Sequence, residues 1–409
     1  MLKNNNYHIF TLPNGLKCVH WKTEGQVSYC GLAINAGSRD EPVGKEGLAH
    51  FVEHTLFKGT EHRKSWHISN RMESIGGELN AFTGKEETML YTNAPTGHLE
   101  RAFDLLADIV AFSNFPGSEL DREKEVVIEE INSYLDSPAD LVFDDFEDAI
   151  FANSRLGHNI LGNQKSVEGL HRADCRDFIE AFYVPSNMAL YCADPSSPQK
   201  VEALVAKYFG FLHNDAPEYS RVVPPMSSPF NIVDEQDGHQ ANTIVGTRTF
   251  GRDDERRYAL MLLNNYLGGP CMNSRLNQEL REKRGYVYSA DSSLALFSDC
   301  GVMEIYFACD PDRTEACRRL AMHELEKLAD KEMSETTFDR IRRQYAGQLQ
   351  ATTDHRENRA MQLAKSLLYY DEIHDIDYTR RRIMDLTAAN LRKEAETLVA
   401  TSFSTLSIR

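Results

Sequence analysis

The stretch GLAHFVEHTLFKGT, residues 47–60, contains His50, Glu53 and His54 in the order H-x-x-E-H. It is helix-like, and residues i and i+4 of an α-helix lie on one face, about 6 Å apart along the axis. The imidazoles of His50 and His54 can therefore supply half of a tetrahedral zinc site. Glu53 borders that face, where a carboxylate can act as general base toward water. The alternative is a solvated polar face with a Glu–His contact.

A catalytic zinc site needs a third protein ligand, and an acidic helix offers several. DREKEVVIEEINSYL, residues 121–135, contains Glu123, Glu125, Glu129 and Glu130. Glu123 and Glu130 are seven positions apart, two turns along one face, and could supply a ligand and a carboxylate that orients another ligand. The heptad spacing favours Glu130, although spacing alone does not choose between Glu130 and Glu129.

Length and charge narrow the classes of protein. The chain has 409 residues, a net charge of −17 and a pI of about 5.3. That length suggests two domains or one large one. The acidic balance argues against binding to nucleic acid or to an anionic membrane, since both need a basic face. None of the eight cysteines forms C-x-x-C, and most have apolar neighbours, so we expect buried free thiols.

The N-terminus, MLKNNNYHIFTLPNG, has no apolar segment typical of a secretory signal. No apolar run approaches the roughly 20 residues that a membrane span needs. We therefore expect a cytoplasmic protein without membrane insertion, with an organellar matrix as the alternative location. The same N-terminal segment predicts a β-hairpin that turns at Pro13, Asn14 and Gly15.

A weak internal repeat divides the chain. YALMLLNNYLGG, residues 258–269, corresponds to residues 47–58, and SETTFDRIRRQYAGQ begins at Ser334, 216 positions after Ser118. A period of this size indicates paired halves rather than a solenoid, whose period is about 20 to 50 residues.

The proline- and serine-rich stretch at residues 213–229 is the best linker candidate. We place a catalytic domain at 1–215, a linker at 216–229 and a degenerate homologous domain at 230–409.

The repeat also carries chemical information, because the second half replaces every potential metal ligand. His50 aligns with about Met261, and His54 with about Asn265. The acidic run of the first half aligns with Ala-Gly-Gln at 346–348. Only the first half can therefore hold a metal through this set of residues.

Six blocks of sequence resemble the pitrilysin-like, inverted-zincin metallopeptidases of peptidase family M16. They are TLPNGLKCV, AGSRDE, GLAHFVEHTLFKGT, GGELNAFTGKEETMLY, EKEVVIEEI and LNQELREKRGYVYS. With one pair of halves, the chain resembles the short subgroup that contains mitochondrial processing peptidase subunits and their bacterial relatives. The resemblance implies an α+β fold of two homologous halves, each an antiparallel-rich sheet flanked by helices, which face each other as a clamshell.

The resemblance also implies a zinc endopeptidase with one zinc ion per chain. By position, it makes His50, His54 and Glu130 the zinc ligands. Glu53 becomes the general base, and Glu123 becomes the carboxylate that supports the ligands from behind.

Substrate contacts are implied in both halves. LNAFT resembles the family's edge strand, which binds an extended peptide by strand addition at Asn80, Ala81 and Phe82. Arg281 and Tyr288 match a pair that reaches the substrate, with Arg281 bonding a carbonyl and Tyr288 donating to the developing oxyanion. Without the resemblance, we would interpret LNAFT as an ordinary strand of a sheet. Arg281 would then be a surface residue and Tyr288 a packing residue.

The implied partners are peptide substrates, cleaved inside an enclosed chamber, and a second subunit. Because the chain keeps both the metal ligands and the Arg281–Tyr288 pair, we expect a homodimer, with an inactive homologue as the alternative partner. Two other functions compete. A non-catalytic assembly or peptide-binding subunit would typically have lost H-x-x-E-H, and a metal-storage or metal-sensing protein would need neither a base nor a peptide strand.

Overall fold

The computed structural model describes residues 7–214, 220–236, 239–352 and 355–409. Its strands are β1 (Tyr7–Thr11), β2 (Lys17–Lys22), β3 (Val27–Ile34), β4 (Glu78–Thr83), β5 (Thr88–Pro95), β6 (Met188–Asp194), β7 (Asn231–Asp234), β8 (Ala241–Thr249), β9 (Val287–Leu296), β10 (Gly301–Cys309) and β11 (Ser404–Ile408). Its α-helices are α1 (Leu48–Leu56), α2 (Ser65–Glu73), α3 (Leu99–Phe112), α4 (Gly117–Leu135), α5 (Pro138–Ile150), α6 (Gln164–Glu168), α7 (Arg172–Phe182), α8 (Pro198–Phe209), α9 (Arg257–Gly268), α10 (Thr314–Asp330), α11 (Glu335–Thr352), α12 (Arg356–Tyr370), α13 (Ile376–Met384) and α14 (Ala388–Val399).

These elements form two compact units, each assembled from three segments of chain. Unit 1 comprises Met1–Asn132, His158–Arg221 and Thr352–Asp375, and unit 2 comprises Ser133–Gly157, Val222–Ala351 and Ile376–Arg409. Helix α5 therefore belongs to unit 2, although it lies early in the chain, and helix α12 belongs to unit 1, although it lies late.

Unit 1 contains a six-stranded sheet in the order β1–β2–β6–β3–β5–β4. Every neighbouring pair is antiparallel except β2 and β6, which run parallel. The predicted N-terminal hairpin is confirmed, because β1 pairs with β2 and Tyr7 lies opposite Trp21. Strand β4 forms the opposite edge of the sheet, beside helix α1.

Side chains alternate between the two faces of this sheet. Leu32, Leu90 and Leu190 face the larger core, which α1, α3 and α8 close. Ala33 and Met89 face the other way, into a second core that α12 packs against. The sheet of unit 1 is thus covered on both faces, and the helix that carries H-x-x-E-H belongs to the larger core.

Unit 2 contains a five-stranded sheet in the order β7–β11–β8–β10–β9. Strands β7 and β11 are parallel, and the other neighbouring pairs are antiparallel. Val245, Met303 and Phe307 face a core closed by α9, α10 and α14. Ile244 and Val302 face α5 on the opposite side. Both units are antiparallel-rich sheets flanked by helices, so the predicted α+β class is confirmed.

Helices α5 and α12 play equivalent parts, because each covers a sheet whose strands come from the other half of the chain. Phe146 on α5 approaches β8 so closely that a Cβ at Gly246 would lie 2.7 Å from its ring. The division into residues 1–215 and 230–409 places α5 and α12 with their own halves. The compact units instead place α5 in unit 2 and α12 in unit 1. The division at residues 1–215 and 230–409 concerns the duplicated halves, and it stays a prediction.

Part of the predicted linker, residues 216–219, lies outside the described residues, and residues 220–230 form neither helix nor strand. The expectation of free thiols is confirmed, since all eight cysteines are free and all except Cys271 are buried. In the described part of the chain, no helix combines the length and the apolar character that crossing a membrane requires.

Candidate metal centre

The start of helix α1 is fixed by groups that lie outside the helix. The helix follows Gly47, whose φ of 91° favours glycine. A Cβ on Gly47 would also lie 2.5 Å from the carbonyl oxygen of Leu161. The buried carboxylate of Glu41 accepts hydrogen bonds from the backbone N–H groups of Gly47 (3.0 Å) and Ala49 (2.8 Å). An anionic cap at this end also complements the helix dipole.

Three potential metal ligands converge where α1 meets α4. Oε2 of Glu130 lies 3.8 Å from Nε2 of His50 and 3.5 Å from Nε2 of His54. The three ligand atoms lie within 4.8 Å of one another, and in the described residues no other group of three does so. A tetrahedral zinc ion with bonds of about 2.0–2.2 Å separates its ligands by about 3.4 Å, so these residues fit zinc. The alternative ligand Glu129 is not in the group.

The surroundings of His50 keep its imidazole neutral. Burial, with a smaller contribution from His54, lowers the pKa of His50 to about 3. Zinc binds neutral imidazole, so this side chain needs to release no proton near neutral pH. Nδ1 of His50 is buried and has no hydrogen-bond partner among the described residues. Nε2, beside Glu130, is therefore the nitrogen that points toward the group.

Glu123 contacts His54 from the side opposite the group of ligands. One of its carboxylate oxygens lies 3.4 Å from Nδ1 of His54, and the other lies 2.6 Å from Nζ of Lys58. A proton on Nδ1 directed at this carboxylate leaves Nε2 of His54 free to bind a metal. Glu123 and Glu130 lie two turns apart on α4 and both reach His54, which is the arrangement that their heptad spacing favoured.

Glu53 lies beside the histidines and also contacts the edge strand. The hydroxyl of Thr83, the last residue of β4, donates a hydrogen bond of 2.7 Å to Oε2 of Glu53. Burial raises the pKa of Glu53, while the Thr83 hydrogen bond and His54 oppose the rise and Glu130 adds to it. A carboxylate with a raised pKa is a better proton acceptor near neutral pH.

Strand β4 pairs along one side only. Its register with β5 is Asn80↔Tyr91, Ala81↔Leu90 and Phe82↔Met89. In the described chain no strand pairs with its other side, so the backbone groups there can accept an added strand. Because this strand ends at Thr83, the open edge leads directly to Glu53.

Arg281 and Tyr288 both lie in unit 2 and contact each other. Arg281 is in a π-helical turn, Asn277–Glu282, and Tyr288 is on β9 with 79% of its surface exposed. The guanidinium lies 5.5 Å from the centre of the tyrosine ring. Both polar ends are therefore presented at the surface of unit 2.

Three contributors to the site carried no assigned role in the sequence. Thr83 ends the LNAFT block, Lys58 follows the H-x-x-E-H helix, and Glu41 ends the AGSRDE block. Their contacts join residues that are 30, 65 and 8 positions apart. No periodicity marks such pairs. The only signal was that all three residues lie inside blocks that resemble the family.

Both halves of the chain are similar to known proteins. Residues 19–164 match the family model described as Insulinase (Peptidase family M16), and residues 169–345 match the one described as Peptidase M16 inactive domain. A protein named uncharacterized zinc protease from Mycobacterium tuberculosis is 34% identical, over 95% of this chain and 90% of its own length. Another so named from Bacillus subtilis is 29% identical, over 94% and 93%.

Solved structures show the same fold. The crystal structure of a protease from Helicobacter pylori superposes with a TM-score of 0.90 at 24% identity, covering 98% of this chain and 99% of that one. A structure described as a peptidase M16 inactive domain from Pseudomonas fluorescens superposes with a TM-score of 0.92 at 19% identity, covering 98% and 97%. Given the two matching family models and relatives 34% identical over nearly its whole length, the chain belongs to peptidase family M16.

Proposed function

We propose that the protein is a zinc-dependent endopeptidase that hydrolyses peptides or unfolded polypeptide segments. One observation carries the proposal: His50, His54 and Glu130 converge, and Glu53 lies on the same helix as the two histidines. The relatives named zinc proteases support it. A structural zinc site would be closed by four protein ligands, whereas this group supplies three and leaves a fourth position for water or substrate.

His50, His54 and Glu130 would hold the metal, which supplies Lewis acidity toward water and a peptide carbonyl. Glu53 takes a proton from the attacking water and later gives it to the leaving amine. The Thr83 hydroxyl holds the carboxylate of Glu53 in place during both transfers. Glu123 keeps Nε2 of His54 directed at the group of ligands.

The substrate would bind as an extended strand along the open side of β4, at Asn80, Ala81 and Phe82. Main-chain hydrogen bonds then give affinity for any extended peptide, whatever its side chains. The end of β4 at Thr83 brings a bound backbone toward Glu53. This geometry supports endopeptidase action on flexible chains, since a folded substrate has few free strands to add.

The second half would complete an enclosed chamber, with Arg281 bonding a substrate carbonyl and Tyr288 donating to the oxyanion. The exposed ring of Tyr288 and the adjacent guanidinium support these roles. The match of residues 169–345 to an inactive domain supports a half that binds no metal. We further propose a homodimer, since one chain carries every residue of the proposed site; light scattering of the purified protein tests this.

The test combines metal content with peptide cleavage. Zinc is measured by atomic absorption in the wild type and in Glu53→Gln, and both are assayed on quenched fluorescent peptides. We expect about one zinc per chain in both proteins and a loss of activity of about a hundredfold or more in the variant. Undiminished cleavage by Glu53→Gln would remove Glu53 from the role of base.

Glu130→Ala and Glu129→Ala form a matched pair for the third ligand. Glu130→Ala should lose zinc and Glu129→Ala should keep it; the reverse would move the ligand by one residue. The alternative function is a non-catalytic peptide-binding subunit, which the open edge of β4 would serve equally well. A wild type that binds peptides, contains no zinc and cleaves nothing would favour that alternative.

A further inference from the structure

Unit 2 contains a half-open cleft of about 320 Å³ next to the start of α9, the end of α13 and one side of α14. Its volume falls at the lower end of the about 300–1,000 Å³ typical of ligand pockets. Six charged side chains line the cleft, and none belongs to the site described above: Glu255, Arg256, Arg382, Asp385, Lys393 and Glu394.

Glu394 is the unusual member of this set. It is only 3% exposed, yet its carboxyl group has no hydrogen-bond or ion-pair partner among residues 7–214, 220–236, 239–352 and 355–409. Burial raises the pKa of Glu394, and the charge of Arg256 opposes the rise. Buried carboxyl groups are normally paired, so Glu394 offers an unused hydrogen-bond acceptor to a molecule that occupies the cleft.

The arginines that line the cleft are already engaged elsewhere. Arg256 donates three hydrogen bonds of 2.6 to 3.1 Å to Asp254 and lies 4.5 Å from the ring centre of Phe250. Arg382 forms an ion pair with Glu255. These pairs orient both guanidinium groups, and among the described residues neither donates a hydrogen bond to Glu394. Within the described residues Arg256 and Lys393 act on Glu394 through their charge alone, and no side chain there donates a hydrogen bond to its carboxyl group.

We propose that this cleft binds a small molecule through a protonated amino group, which donates to the carboxylate of Glu394. Asp385 lies exposed at the rim and adds a second negative charge, which also favours a cationic ligand. Lys393 is exposed as well, and it can meet a carboxylate at the far end of the ligand. A short diamine and a free amino acid both carry the required ammonium group.

The test is calorimetric titration of the full-length protein with putrescine, L-lysine and the uncharged 1,4-butanediol. We expect at least one amine to bind with a Kd of about 1 mM or tighter and butanediol not to bind. Lysine alone would identify an amino-acid site, and putrescine alone a diamine site. Glu394→Gln should weaken binding by about tenfold or more, because a charge-assisted hydrogen bond is lost.

Glu396→Gln is the matched control, because Glu396 lies on the same helix but pairs with Arg392 at 2.9 Å, outside the cleft. It should bind as the wild type does. Leu386→Trp, which places a larger side chain in the lining of the cleft, is a second variant that should abolish binding. The proposal is overturned if neither amine binds the wild type, if butanediol binds equally well, or if both cleft variants bind like the wild type.

Discussion

The hydroxyl of Thr83, at the end of edge strand β4, donates a 2.7 Å hydrogen bond to Oε2 of Glu53 on helix α1. This contact links the proposed substrate strand to the proposed base. It also opposes the effect of burial, which raises the pKa of Glu53. The Thr83 hydroxyl thus orients the carboxylate of Glu53. It also favours the charged form, which lowers the pH at which Glu53 loses its proton.

Thr83→Val should move the acidic limb of the pH–activity profile to higher pH. The raised pKa of Glu53 means that activity increases as pH rises through that pKa, and loss of a donor to the charged form raises the pKa further. A hydrogen bond to a charged group is worth about 1.5–3 kcal/mol, which corresponds to a shift of about one to two pH units in kcat/KM. Thr83→Ser keeps the donor and should leave the profile in place; an unshifted profile in Thr83→Val would contradict the prediction.

Glu123→Gln should weaken zinc binding by about tenfold to a hundredfold, the usual cost of losing a carboxylate that orients a histidine ligand. The group it orients is Nδ1 of His54, at 3.4 Å. Zinc affinity is measured by competition with a fluorescent chelator. Glu125→Gln, on the same helix but exposed, should bind zinc like the wild type. Equal affinities in the two variants would argue that Glu123 serves only its ion pair with Lys58.

The metal-free protein should lose stability as pH falls from about 6.5 toward 3. His50 has a pKa of about 3 in the folded protein against an ordinary value of 6.5, so between these values the unfolded chain binds one more proton. Each pH unit in that window then costs up to about 1.4 kcal/mol of unfolding free energy. Urea titrations of His50→Gln should show a shallower dependence on pH than the wild type. The exposed His98→Gln should show the same pH dependence as the wild type. If the unfolding free energy of His50→Gln depended on pH as steeply as in those two proteins, His50 would not be the group that takes up the proton.

Helical periodicity explains why much of the site could be predicted from sequence. His50 and His54 are one turn apart, and Glu123 and Glu130 are two turns apart, so each pair shares a face whatever the rest of the fold does. Glu129 and Glu130 are adjacent, so only the orientation of α4 against α1 decides which of them faces the two histidines. That orientation depends on the packed core of unit 1, which is why spacing left the ligand undecided.

Long-range contacts explain what the sequence did not reveal. Helices α5 and α12 are amphipathic in sequence, but nothing in their periodicity says which sheet they cover. A division into contiguous domains therefore could not show that α5 covers the sheet of unit 2 and α12 the sheet of unit 1. The roles of Glu41 and Thr83 were missed for a similar reason. Glu41 accepts two hydrogen bonds from the start of α1 and Thr83 donates one to Glu53, and the fold rather than a sequence repeat sets these contacts.

Glu41→Gln should destabilise the metal-free protein by about 1–2 kcal/mol, the range of a lost helix cap. The carboxylate caps α1 through Gly47 and Ala49 and lies 2.7 Å from Nε2 of His158, so an amide must turn one N–H toward a donor. Chemical denaturation measures the loss, with the exposed Glu24→Gln as control. Because α1 carries His50 and His54, zinc affinity should fall together with stability. If Glu41→Gln unfolds like the control, or loses stability while binding zinc unchanged, the cap does not position the metal ligands.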